Sequence, residues 1–122
     1  MAFIKFGGER KMIPEGETVF KITNALYEDE TKKLEIHLQT KEGLIQKEWF
    51  DLNSKGQFGR MMMFAENCGF DTKTDGIDHE DFIGCFIGAN VYHEEWNGKT
   101  KAKLGMFFPA NGFEGVVSKV NP

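Results

Sequence analysis

The chain has 122 residues, a formal net charge of −4 and a sequence pI of about 5.4. That length suits one domain around one hydrophobic core, and the acidic balance argues against a protein that coats duplex DNA by charge alone. Apolar runs fall well short of the ~20 residues needed to span a bilayer. Met1 to Ile4 is too short an apolar stretch for a secretory signal peptide. The expectation is a cytoplasmic protein with no membrane partner. Cys68 and Cys85 show no CxxC pairing or nearby His spacing and read as two reduced core residues.

Residues 1–12 read as an N-terminal extension. Ile13-Pro14-Glu15-Gly16-Glu17 is a turn-type lead-in to a first strand over residues 18–27. In that strand Phe20, Ile22 and Leu26 are expected on one face, with Lys21, Thr23 and Ala25 on the other. A charged turn, Glu28 to Lys33, precedes a second strand over residues 34–40. Leu34, Ile36 and Leu38 alternate inward there, and Glu35, His37 and Gln39 outward. Lys41-Glu42-Gly43 makes the next turn. A third strand follows over residues 44–52, with Trp49 and Phe50 on opposite faces.

The period changes at Ser54. Ser54 and Gln57 fit a capping box at a helix start, and Phe58, Met61, Met62, Ala65 and Cys68 recur at helical spacing. Gly69 is a plausible stop. Gly56 and Gly59 weaken this helix by about 1 kcal/mol each if both are interior, and close packing against the sheet would account for them. Two of the three methionines at Met61-Met62-Met63 are expected in the core, and the run also suits a soft partner-binding surface. A polar connection over residues 70–84 carries a short helical turn at Asp78 to Phe82.

Ile87 to Phe107 reads as a β-hairpin about Asn97-Gly98, the preferred pair for a type I′ turn because both central residues need φ > 0. That turn pairs Trp96 with Lys99, Glu94 with Lys101, Tyr92 with Lys103, Val91 with Leu104 and Ala89 with Met106. Alternation then gives one apolar face, Ala89, Val91, Ala102, Leu104 and Met106. The other face carries Tyr92, Trp96, Lys99, Lys101 and Lys103, with Glu94 among them. Such a face suits a nucleic-acid strand. It equally suits cross-strand pairs that only stabilise the hairpin, at roughly 0.2–1 kcal/mol each. Residues 109–122 form a C-terminal extension with a candidate last strand at Val116 to Val120.

The order is strand, strand, strand, helix, strand, strand. This predicts an all-β domain with one helix over residues 1–122: a five-stranded antiparallel β-barrel of the OB-fold type. An open α+β sandwich has the same element order. In an OB-fold, ligands cross the outer face of strands two and three, between the loop joining strands one and two and the loop joining strands four and five. That geometry adds Lys47 as a phosphate contact, Trp49 as a stacking platform and Lys21 from strand one. Lys32 and Lys33 flank the first loop, offset by Glu28, Asp29 and Glu30.

Three patches, spread over about 90 of the 122 residues, carry a resemblance. They are Ile13-Pro14-Glu15-Gly16-Glu17, then Phe58-Gly59-Arg60 ahead of Cys68-Gly69, and Phe82-Ile83-Gly84 followed by the stretch from Val91 through Trp96-Asn97-Gly98-Lys99-Thr100 to Leu104. These resemble the bacteriophage and prophage OB-fold proteins first catalogued as a domain of unknown function. Several of those are regarded as single-stranded DNA-binding proteins of replication or recombination modules. The resemblance implies an OB barrel, a single-stranded DNA ligand, and replication or recombination proteins as partners. Many single-strand binders recruit partners through an acidic tail; Gly115 to Pro122 holds no acidic run, so recruitment of that kind is not expected of these residues.

No catalytic or cofactor signature accompanies these patches, and the expectation is a protein that is not an enzyme and carries no cofactor. His79-Glu80-Asp81 and His93-Glu94-Glu95 lack the pairing of known metal motifs. GxSxG, P-loop and GxGxxG patterns are missing. Cys68 falls in the C-terminal half of the helix, where the dipole disfavours a thiolate. The favoured function is a sequence-tolerant single-stranded DNA-binding protein, with RNA as the alternative strand. Lys21, Lys47, Lys99, Lys101 and Lys103 would meet phosphates, and Trp49, Tyr92 and Trp96 would stack on bases. The rival readings are an OB-fold protein-interaction module, suggested by the acidic balance and the methionines, and a small-molecule or saccharide binder. A homo-oligomer is compatible with all three.

Overall fold

The structure is a computed structural model that describes residues 12–113. Five antiparallel strands form one sheet: β1 (Gly16–Glu28), β2 (Lys33–Gln39), β3 (Ile45–Asp51), β4 (Phe86–Trp96) and β5 (Lys99–Pro109), in the spatial order β3-β2-β1-β4-β5. One helix, α1 (Lys55–Asn67), and a short 3-10 helix, His79–Phe82, lie between β3 and β4. All five strands and the helix fall where the sequence predicts them, to within one or two residues. Val116 to Val120 and residues 1–11 lie outside the described residues. The C-terminal extension begins later than expected, because β5 runs on through Pro109.

The expectation of a closed barrel is corrected. Among the described residues no backbone ladder joins β3 to β5, and the sheet is open along that seam. Side chains bridge it instead. The Gln46 amide donates to the Ala102 carbonyl at 3.0 Å. Arg60, from α1, forms an ion pair with Glu48 on β3 and donates to the Leu104 carbonyl on β5 at 2.8 Å. Its guanidinium lies over the Phe107 ring, 4.5 Å from the centroid, and near Phe50.

Two bulges alter the predicted faces. Ile22 pairs with Leu38 but Asn24 with His37, so Thr23 is an extra residue in β1. Beyond it the alternation inverts: Ala25 is buried and Leu26 exposed, the reverse of the expectation. In the hairpin, Val91 pairs with Leu104 but Ala89 pairs with Phe107, not Met106. The extra residue falls at Gly105-Met106, opposite Asn90. Phe107 therefore turns into the core at 6% exposure, and Met106, expected inside, is 71% exposed. Gly105 permits the bulge, since a Cβ there would sit 3.3 Å from the Asn90 carbonyl.

A cluster of phenylalanines runs through a mostly aliphatic core. Phe64 from α1 lies against Phe107 (centroids 5.0 Å apart), Phe50 (5.4 Å) and Phe82 (5.5 Å), which brings helix, β3, β5 and the 3-10 helix onto one residue. The inward face of α1, with its C-cap Cys68, is Met61, Phe64, Ala65 and Cys68, an i, i+3, i+4, i+7 set. Phe58, expected on this face, is exposed. Met61 and Met62 are half-buried and Met63 is exposed, as the spacing predicts for two of the three. Ser54 caps the helix, accepting from the Gln57 N–H. The Gln57 side chain departs from the capping box: it accepts from the Asp51 N–H at 2.7 Å instead of turning back to Ser54. Among the described residues nothing lies within 4 Å of where a Cβ would sit on Gly56 or Gly59, which corrects the close-packing account of them. Cys68 and Cys85 are both free thiols, partly buried against the core. Burial, with the nearby Cys85 sulfur adding to it, pushes the Cys68 thiol far above its ordinary range.

Candidate nucleic-acid interface

Asn97 and Gly98 adopt φ of 53° and 74°, the left-handed values a type I′ turn needs. The register from Trp96–Lys99 to Val91–Leu104 is the one the turn predicts. β1 pairs with β4 only as far as Gly16 opposite Val91. Tyr92–Trp96 and Lys99–Lys103 therefore run on as a two-stranded arm past the end of β1, by roughly 16 Å at 3.3 Å per residue. Trp96, at its tip, is 71% exposed. Tyr92, Lys99, Lys101 and Lys103 are exposed on the same face. Glu94 shares that face, and its carboxylate lies 3.8 Å from the Lys103 ammonium, so one of the three cations has an intramolecular partner. His93, on the opposite face, anchors the arm's base: its N–H donates to Glu15 and its ring meets the Ile13 carbonyl, both at 2.7 Å.

The seam sets the place of the third strand. Gln46 and Glu48 flank Lys47; Gln46 donates to the Ala102 carbonyl of β5, and Glu48 is tied to β5 through Arg60, which donates to the Leu104 and Gly105 carbonyls. β3 and β5 thus run side by side in the same direction there. This puts Lys47 and Trp49, both on the outer face, next to the stretch of β5 that carries Lys103. Trp49 is 57% exposed while Phe50 is buried, which decides which of the two rings faces out.

Lys47 and Trp49 rest on a polar pair that the sequence reading placed outward without linking. The His37 ring nitrogen lies 2.5 Å from the Glu35 carboxylate. In the register, His37 faces Lys47 and Glu35 faces Trp49. The hydrogen bond with His37 holds Glu35 below the ordinary carboxylate value against the opposing effect of burial, with smaller help from the Trp49 indole and the Lys47 charge.

Lys21 is set apart from this group. It sits mid-sheet between Gln39 and Phe86, with its ammonium 6.0 Å from the Phe86 ring centroid. Phe86 stacks edge-on against Phe113 at 5.0 Å. Sequence reasoning missed this aromatic neighbour of Lys21; the alternation Phe86, Gly88, Asn90, Tyr92 was the available signal. The Lys32 ammonium lies 4.0 Å from Asp29, so the first loop adds little net charge.

The site therefore unites Lys47 and Trp49 with Tyr92, Lys101 and Lys103 along the seam, extends to Trp96 and Lys99 at the arm tip, and leaves Lys21 to one side. It offers exposed rings and ammonium groups on the outer faces of β3, β4 and β5. Among the described residues no cluster of three His, Cys, Asp or Glu is placed to hold a metal ion. No described helix is long and apolar enough to cross a membrane. In comparisons with known proteins, no family model and no curated protein matches the chain.

Proposed function

We propose that this protein is a sequence-tolerant single-stranded DNA-binding protein built on an OB-type barrel. The observation that carries the reading is the projecting arm, whose outer face joins Tyr92, Trp96 and three lysines to Lys47 and Trp49 across the seam. Exposed rings on a cationic track are what an unpaired strand requires, since every base has a face to stack and every phosphate a charge. The strand order, with the helix between the third and fourth strands, matches a five-stranded, partly open OB barrel cut at the β3–β5 seam. The resemblance of the lead-in, helix and hairpin motifs to phage and prophage OB-fold proteins supports the same reading, and with it a role in phage-type replication or recombination.

The test is fluorescence anisotropy of a labelled oligo-dT titrated at several salt concentrations. Binding at low salt is expected to weaken with a slope near −0.7 per phosphate contact. Replacing Lys101 by Ala is expected to make that slope shallower by about 0.7, and Trp96→Ala to cost about 1–3 kcal/mol. A folded protein that leaves oligo-dT free at low salt rejects the reading.

A further inference from the structure

A cavity of about 660 Å³ opens between α1 and the connection that follows it, at the end of β1 opposite the arm. Its walls are Met61 and Met62 of α1, Tyr27 and Leu34 at the β1–β2 end, and Phe70 and Phe82 behind. Phe58 and Ile77 stand exposed at its lips. The size falls in the range of pockets that enclose a ligand or a few side chains. Flexible thioethers on one wall let such a groove adapt to differing apolar shapes.

The mouth is acidic. Asp71, Asp75 and Asp78 line it, against a single lysine, Lys73, on the same stretch. The Asp71 and Asp78 carboxylates are fixed by backbone N–H bonds from Lys73 (2.9 Å) and Glu80 (3.0 Å). Asp75 is exposed and forms no side-chain hydrogen bond or ion pair among the described residues. This chemistry repels a phosphate backbone or an anionic headgroup and attracts a cation tied to an apolar body.

We infer that this groove docks a short segment of a partner protein in which large apolar side chains alternate with lysine or arginine. The apolar side chains enter between Met62 and Tyr27, and the cations meet Asp71 and Asp75 at the rim. The groove and the arm lie at opposite ends of β1, so a partner seated here leaves the proposed DNA face open. The inference does not depend on that face binding DNA.

The experiment follows the methionine methyl resonances of the full chain. Two nine-residue peptides are titrated: one alternates leucine and phenylalanine with lysine, and its counterpart carries glutamate in place of lysine. The lysine peptide is expected to shift the Met61 and Met62 methyls saturably, leaving Met63 and Met106 unmoved, while the glutamate peptide moves none of them. Asp75→Asn, at an exposed position, is expected to weaken the lysine peptide about two- to fivefold at low salt. The inference is overturned if neither peptide moves these methyls, or if both peptides move them alike.

Discussion

Arg60 is the residue on which the open seam depends. It pairs with Glu48, caps the Leu104 carbonyl and covers Phe107. Burial pushes the Glu48 carboxyl above its ordinary value, against the pull of Arg60 and Lys103. Removing Arg60 leaves that carboxylate without its partner; the pair is only partly buried, so the loss is about 1–3 kcal/mol, below that of a fully buried pair. Arg60→Met is therefore expected to lower the denaturation midpoint sharply at neutral pH. A group whose folded pKa is raised favours the folded state while protonated, so its contribution fades as pH climbs from the unfolded carboxylate value through the raised one. Without Arg60 the carboxyl rises further. The deficit of Arg60→Met relative to the parent should then shrink as pH falls toward 4, as urea unfolding across that range would show. Gly88 sets a different constraint: a Cβ there would sit 2.1 Å from the Phe108 ring. Gly88→Ala should cost about 1–3 kcal/mol through overpacking, whereas Gly88 replaced together with Phe108→Leu should recover part of that loss.

At the scale of elements, the hairpin was legible because its turn is local. Asn97-Gly98 states its own dihedrals, and period-two alternation carries the register outward from it for six residue pairs. It fails at Gly105-Met106, because a bulge is chosen by what lies across the strand. There the glycine avoids the Asn90 carbonyl, and the bulge delivers Phe107 to Phe64. The bulge at Thr23 misled the face assignment of Ala25 and Leu26 for the same reason. In α1 the spacing was legible, but Phe64 was not singled out, since its partners Phe82 and Phe107 come from distant segments. The helix also holds a testable weakness. Gly59 is interior, with open space where a Cβ would go, so Gly59→Ala should raise stability by about 0.5–1 kcal/mol in chemical denaturation. A loss of stability there would mean that the glycine is needed for contact after all.

Over the whole molecule the net charge of −4 opposes a nucleic-acid strand, so the cationic face must act locally. At 0.15 M salt the Debye length is about 8 Å, shorter than the arm's projection of roughly 16 Å. Carrying Trp96 and Lys99 out past the end of β1 thus screens them from charges on the body of the sheet, leaving Glu94 and Glu95 as the acids on the arm itself. The residues of the arm were readable from local pattern, whereas their union with Lys47 and Trp49 was expected only by way of the OB-fold geometry; the contacts behind it, the Gln46 and Arg60 bridges, join strands far apart in the chain and leave no local signal. The chain has two tryptophans, one on β3 and one at the arm tip. The most direct test is to follow their two indole N–H resonances during titration with oligo-dT at low salt. The account predicts that both shift together and saturate at one stoichiometry. Two indole signals that stay fixed in the folded protein, at oligo-dT in large excess, would contradict it.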